Sequence, residues 1–107
     1  MSTFTYTSRY SEYSNCFFQI GKYANGNLAI EIWSNEEGPI TKVTVNPDIY
    51  IDHDRIAVKD YSENEGMADW LISENLIEEE PIESITSGFV KIPIYELTPH
   101  GKEMFGV

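Results

Sequence analysis

Lys59-Asp60-Tyr61-Ser62-Glu63-Asn64-Glu65-Gly66-Met67-Ala68-Asp69-Trp70-Leu71 is the stretch around which the chain is organised. It reads as the end of a strand, a cap and the start of a helix. Ser62 and Glu65 have capping-box spacing: the serine hydroxyl can accept from the amide of residue 65, and the glutamate can reach back to the amide of residue 62. Met67, Trp70 and Leu71 then fall at i, i+3 and i+4 and form one apolar helical face. The spacing predicts a helix from Glu63 to about Glu74. Asn75 is then the expected left-handed C′ residue, with Leu76 at C″ packing on Leu71 as in a Schellman ending.

Upstream, the pattern changes to period two. Asn15 to Tyr23, with Phe17, Phe18 and Ile20, reads as a strand. Ala24-Asn25-Gly26-Asn27 follows, and Asn-Gly supplies the positive φ values of a tight hairpin turn. Leu28, Ile30 and Ile32 alternate with Ala29, Glu31 and Trp33, the period of a half-buried strand. After the turn Asn35-Glu36-Glu37-Gly38, Ile40, Val43 and Val45 belong to a third strand that Pro47 stops. These three strands form an antiparallel meander. Phe4, Tyr6 and Tyr10 are expected in a first strand in the Ser-, Thr- and Tyr-rich segment 1–14. Asn46 to Asp54 reads as a loop, and Arg55 to Tyr61 as a short strand with Ile56 and Val58 on one face.

Downstream of the helix, Ile77 to Ser87 reads as an acidic connection, too charged and too interrupted by Pro81 to prolong it. Phe89, Lys91, Pro93 and Tyr95 alternate with Val90, Ile92, Ile94 and Leu97 in a last strand. Pro93 cannot donate to a ladder, so that strand is expected at an edge or bent. Thr98 to Val107 reads as a tail in which Met104 and Phe105 tuck back. The expected fold class is α+β: one domain over residues 1–107, an antiparallel β-meander sheet of about five strands with one main α-helix packed on one face.

A chain of 107 residues with 41% hydrophobic residues is long enough for a modest core. No apolar run is long enough to span a bilayer. The N-terminal Met1-Ser2-Thr3-Phe4 lacks the basic-then-apolar layout of a signal peptide. With Cys16 as the only cysteine no intramolecular disulfide can form, and a reducing cytoplasm is the expected compartment.

The net charge of −11 decides which partners are excluded. Nucleic acid and anionic lipid bind through Lys and Arg, so direct contact with DNA, RNA or a membrane surface is not expected. The charge is also uneven. Between Asp60 and Thr86 there are nine acids and no Lys or Arg: Asp60, Glu63, Glu65, Asp69, Glu74, Glu78, Glu79, Glu80 and Glu83. A run of charge is ordinarily a solvated face, yet helices normally mix Glu with Lys to gain i,i+4 pairs. Here like charges are accepted instead. This pattern makes Asp60, Glu63, Glu65, Asp69, Glu74, Glu78, Glu79 and Glu80 the candidate partner-binding residues.

No catalytic signature stands out. Asp52-His53-Asp54 gathers ligand types, but the other histidine, His100, is remote and no Cys pair or His-x-x-x-His is present, so a solvated turn is expected. Asp60 to Gly66 lacks EF-hand ligand spacing. Cys16 adjoins Phe17 and Phe18 and is expected to be packed rather than nucleophilic. Ser87-Gly88 is not a nucleophile elbow, and no Gly-rich phosphate loop occurs. Neither a cofactor nor a metal is expected.

Lys59 to Gly66, an apolar helix, and then Ser87-Gly88-Phe89-Val90 with Pro93 resemble a family of small acidic bacterial domains of unknown function found on phages, plasmids and conjugative elements. Leu28 to Ile32 and Thr44-Val45-Asn46 fit the same pattern, which covers about residues 25–97 by motif order. The family assigns no catalytic residues. What the resemblance implies is context: small acidic proteins of mobile elements disarm host defence by blocking restriction or CRISPR enzymes, some by placing carboxylates where DNA phosphates would bind. The expected function is a non-enzymatic, acidic inhibitor whose partner is a basic nucleic-acid-binding host protein. An alternative of another class is a small-molecule or nucleotide-sensing domain with an aromatic pocket near Trp33, Tyr61 and Trp70.

Overall fold

A computed structural model describes residues 3–107. Two antiparallel sheets close around a shared core. The first contains β1 (Phe4–Thr7), β2 (Glu12–Lys22), β3 (Leu28–Ser34) and β4 (Gly38–Lys42), in the order β1-β2-β3-β4. The second contains β5 (Arg55–Ala57), β6 (Glu83–Ser87) and β7 (Val90–Glu96), in the order β5-β7-β6. Two short helices, α1 (Met67–Ser73) and α2 (Pro99–Phe105), complete the elements. The α+β class and the meander agree with the sequence reading, whereas the single sheet of about five strands becomes seven strands in two sheets.

The meander follows from alternation. In β3, Leu28, Ile30, Ile32 and Ser34 point inward and are buried, while the residues between them are half-buried. The β2–β3 turn differs in detail from a two-residue Asn-Gly turn. Tyr23 N–H donates to Asn27 O at 2.8 Å, and only Gly26 has positive φ, at 92°. Three residues thus form the turn, with glycine at the left-handed position. Ile40 lies on β4, but Val43 and Val45 lie beyond its end, in a segment that changes partners. Val43 N–H donates to Ile30 O at 2.8 Å, Lys59 N–H donates to Val43 O at 2.9 Å, and Val45 N–H donates to Ala57 O at 3.1 Å. Thr44 forms an isolated bridge with Val58, and its buried hydroxyl accepts from Ile30 N–H at 3.0 Å. This segment joins the two sheets.

The main core lies between the sheets and under both helices. Ile30, Ile32 and Val43 face Ile56, Val58 and Leu97, with Met67, Leu71 and Phe105 filling the space. The opposite face of the second sheet holds a smaller cluster of Ile51, Ala57, Ile92 and Ile94 under the loop 46–54. Asn27 anchors that loop: its Nδ2 donates to Ile49 O at 2.8 Å and its Oδ1 accepts from Ile51 N–H at 2.7 Å.

Four local expectations are corrected. Ser62 is not the N-cap. It has φ +57° and opens a single 3₁₀ turn, Ser62–Asn64, and α1 starts only at Met67 behind Gly66, whose φ is +101°. Ile77 to Ser87 is not merely a connection, because its second half is β6. Of the two placements expected for the Pro93 strand, an edge or a bend, the edge is excluded: β7 is the central strand of its sheet. Pro93 fits there because its carbonyl accepts from Val58 N–H at 3.0 Å, so its nitrogen faces the end of the short β5 and not the β6 ladder. The tail 98–107 contains a helix. Thr98 caps α2 by accepting from Gly101 N–H at 2.9 Å, Pro99 opens it, and Gly106 ends it with φ +75°. Phe105 is buried edge-on against Phe18, whereas Met104 stays exposed.

The Schellman ending is present as read. Asn75 has φ +58°, Leu76 N–H donates to Leu71 O at 3.0 Å, Asn75 N–H donates to Ile72 O at 2.9 Å, and both leucines are buried.

Candidate functional site: an acidic surface

The segment from Asp60 to Glu80 is held by polar contacts of its own. Asp60 Oδ1 accepts from Gly66 N–H at 3.0 Å and Ala68 N–H at 3.2 Å, taking the capping role expected of Ser62. Asn64, buried in the 3₁₀ turn, accepts from the Thr41 hydroxyl at 2.6 Å and donates to Lys42 O. Glu65 pairs with Arg9 at 2.7 Å, and Glu63 with Lys59 at 2.7 Å. The hydrogen bond from Lys59 holds the Glu63 carboxyl below the usual range.

The remaining candidates have no ion-pair partner among the described residues. Asp69 and Glu74 are exposed on and just after α1, and Glu78, Glu79 and Glu80 are exposed on the connection that follows. Glu78 N–H donates to Glu96 O at 2.9 Å, which fixes that connection beside the end of β7. With Ile72, Asn75 and Ile77, the three glutamates line an open depression.

Tyr95, buried on β7, has its hydroxyl pushed above its ordinary value first by burial and then by Asp60, Asp69 and Glu80. Glu63 and Glu65 sit on the 3₁₀ side, where each is neutralised by a base. The candidate set thus divides into an unpaired group along α1 and residues 74–80, and a paired group at 63–65. Asp60 works chiefly as a helix cap.

The aromatic residues named for a pocket do not share one environment. Trp70 packs edge-on against Tyr6 at 5.0 Å between ring centres and lies 5.6 Å from Phe4, within the main core. Tyr61 packs on the smaller cluster. Trp33 belongs to neither, and its indole N–H donates to Glu31 at 3.2 Å. His53 is exposed in a turn, and among the described residues no group of three or more His, Cys, Asp or Glu side chains could hold a metal ion. Cys16 is fully buried, and burial followed by Glu36 and Glu37 pushes its thiol up, away from the reactive thiolate.

No helix among the described residues is long and apolar enough to cross a membrane. In comparisons with known proteins, the chain matches no family model, no curated protein and no solved structure.

Proposed function

We propose that the chain is a non-enzymatic inhibitor from a mobile element. Its acidic surface occupies a basic nucleic-acid-binding surface of a host defence nuclease, in the manner of an anti-CRISPR or anti-restriction protein, with carboxylates standing where DNA phosphates would lie. The observation that supports this reading is the split among the carboxylates. The nearby bases Arg9 and Lys59 pair with Glu65 and Glu63, leaving Asp69, Glu74, Glu78, Glu79 and Glu80 exposed and without an ion-pair partner among the described residues, on one continuous segment. Such a surface repels nucleic acid and steers a basic partner toward it.

The test is inhibition of a purified defence nuclease with a basic DNA groove, comparing the parent with the triple variant Glu78→Lys, Glu79→Lys, Glu80→Lys. The variant should associate far more slowly, DNA should compete with the parent, and added salt should weaken the parent's binding. Its folding stability should stay level or rise, since exposed charges contribute roughly 0–1 kcal/mol each and self-repulsion is relieved. Equal inhibition by both proteins at low and high salt would reduce the acidic segment to a solvated surface.

A further inference from the structure

We infer that the open edge of β6 docks the basic partner, an extended basic segment of which adds to the sheet as a further strand. This rests on the acidic-surface reading above. It adds the mode of recognition.

The order β5-β7-β6 leaves β6 with a neighbour on one side only. Its ladder with β7 pairs Ser87 with Val90, Ile85 with Ile92 and Glu83 with Ile94 around the Gly88-Phe89 turn. In an antiparallel ladder alternate residues turn both backbone groups toward the same neighbour. Ser84 and Thr86, the intervening residues, therefore aim their N–H and C=O groups outward. Pro93, opposite Ser84, independently fixes this phase, because its carbonyl accepts from Val58 on the other side of β7.

Two apolar side chains flank that edge. Ile82, just before β6, is 43% exposed, and Phe89, in the turn after it, is fully exposed. An added strand would cover both. Open edges are ordinarily guarded by lysine, proline or a bulge. Here Pro81 lies just before the strand and Lys91 stands opposite Thr86 on β7, but the only charge on β6 itself is Glu83, and Glu78, Glu79 and Glu80 precede it. These acids guard the edge against another acidic chain, including a second copy of this one, and favour a strand bearing Lys or Arg. Backbone pairing would supply affinity and the charges selectivity.

The experiment uses a short synthetic peptide alternating lysine and valine, its glutamate–valine counterpart, and the lysine peptide with alternate backbone nitrogens methylated. The lysine peptide should slow amide exchange at Ser84 and Thr86. The methylated peptide keeps the charge but loses donors, and should bind at least about tenfold more weakly, the cost of about one hydrogen bond. Thr86→Pro removes an outward donor without touching the β7 ladder and should weaken nuclease inhibition similarly. The glutamate peptide should not bind.

If the lysine peptide binds equally with and without methylation and leaves Ser84 and Thr86 unprotected, edge pairing is overturned while the acidic surface stands. Loss of inhibition with Thr86→Pro but not with the triple lysine variant keeps the edge and removes the acidic surface. A concentration-dependent dimer that protects Ser84 and Thr86 without peptide replaces the partner by a second copy and overturns the inference.

Discussion

Asp60 closes the N-terminal end of α1 from eight residues away: its Oδ1 accepts from Ala68 N–H at 3.2 Å, and from Gly66 N–H at 3.0 Å. One carboxylate thus satisfies two amides that a helix of seven residues would otherwise leave open. Asp60→Ala is expected to cost about 1–2 kcal/mol, the upper range for a lost cap. Ser62→Ala, at an exposed residue without a capping bond, should stay within about 0.5 kcal/mol. Urea denaturation of the two variants checks the assignment, and the reverse order would return the cap to Ser62.

Gly101 sets the distance between α2 and the end of α1. A Cβ placed there would lie 2.0 Å from Leu76 O, a backbone atom that cannot rotate away. The same carbonyl accepts from Thr98 N–H at 3.1 Å. Gly101→Ala is expected to cost about 3 kcal/mol or more, beyond ordinary overpacking because the obstacle is backbone. A thermal melt within error of the parent would show that α2 does not dock so closely.

Trp70 carries the contact between α1 and the first sheet. It is half-buried, with Tyr6, Phe4 and Phe18 around it. Trp70→Ala should cost about 3 kcal/mol, the low end for a large aromatic, since part of the ring already meets water. In a Trp33→Phe background its fluorescence should be quenched by iodide only in part. Quenching as complete as in the unfolded chain would place the ring on the surface.

Alkaline pH should unfold the protein through groups that it buries neutral. Burial first, then neighbouring acids, raises Tyr95 above the ordinary 10.0 and Cys16 above the ordinary 9.0; Tyr6 is raised by burial and Tyr13. Each folded-state value exceeds its unfolded value. The stabilisation is therefore complete below the unfolded value and is lost as pH rises through the folded one. Denaturation midpoints should fall from about pH 9 for the thiol and about pH 10 for the tyrosines. Tyr95→Phe should flatten the upper part of that fall. Cys16 should react with a thiol reagent only after unfolding.

Legibility followed the local or long-range origin of each element. The hairpins, the alternation of Leu28 to Ile32 and the Asn75–Leu76 helix ending are set by neighbouring residues, and the structure contains them. Ser62 misled because tertiary bonds override its capping box: Asn64 is drawn onto β4 and Glu65 onto Arg9. β6 was hidden because Glu83-Ser84-Ile85-Thr86-Ser87 has one apolar residue and an open edge, so neither periodicity nor hydrophobicity marks it. The signal for α2 is present in Thr98-Pro99 and Gly106, within the segment that reads from sequence as a tail. Among the candidate carboxylates, sequence could show that they are crowded but not which are neutralised, because Arg9 meets Glu65 only through the fold.

The partner change along Val43-Thr44-Val45 has a thermodynamic consequence. Thr44 bonds to Ile30 on one sheet and bridges to Val58 on the other, and its carbonyl also accepts from the Tyr23 hydroxyl at 3.2 Å. Ile30 and Val58 are also buried in the same cluster. Neither sheet can come away without stripping hydrogen bonds and apolar cover from the other. The two sheets therefore melt as one cooperative unit, and the calorimetric and van't Hoff enthalpies of melting should coincide.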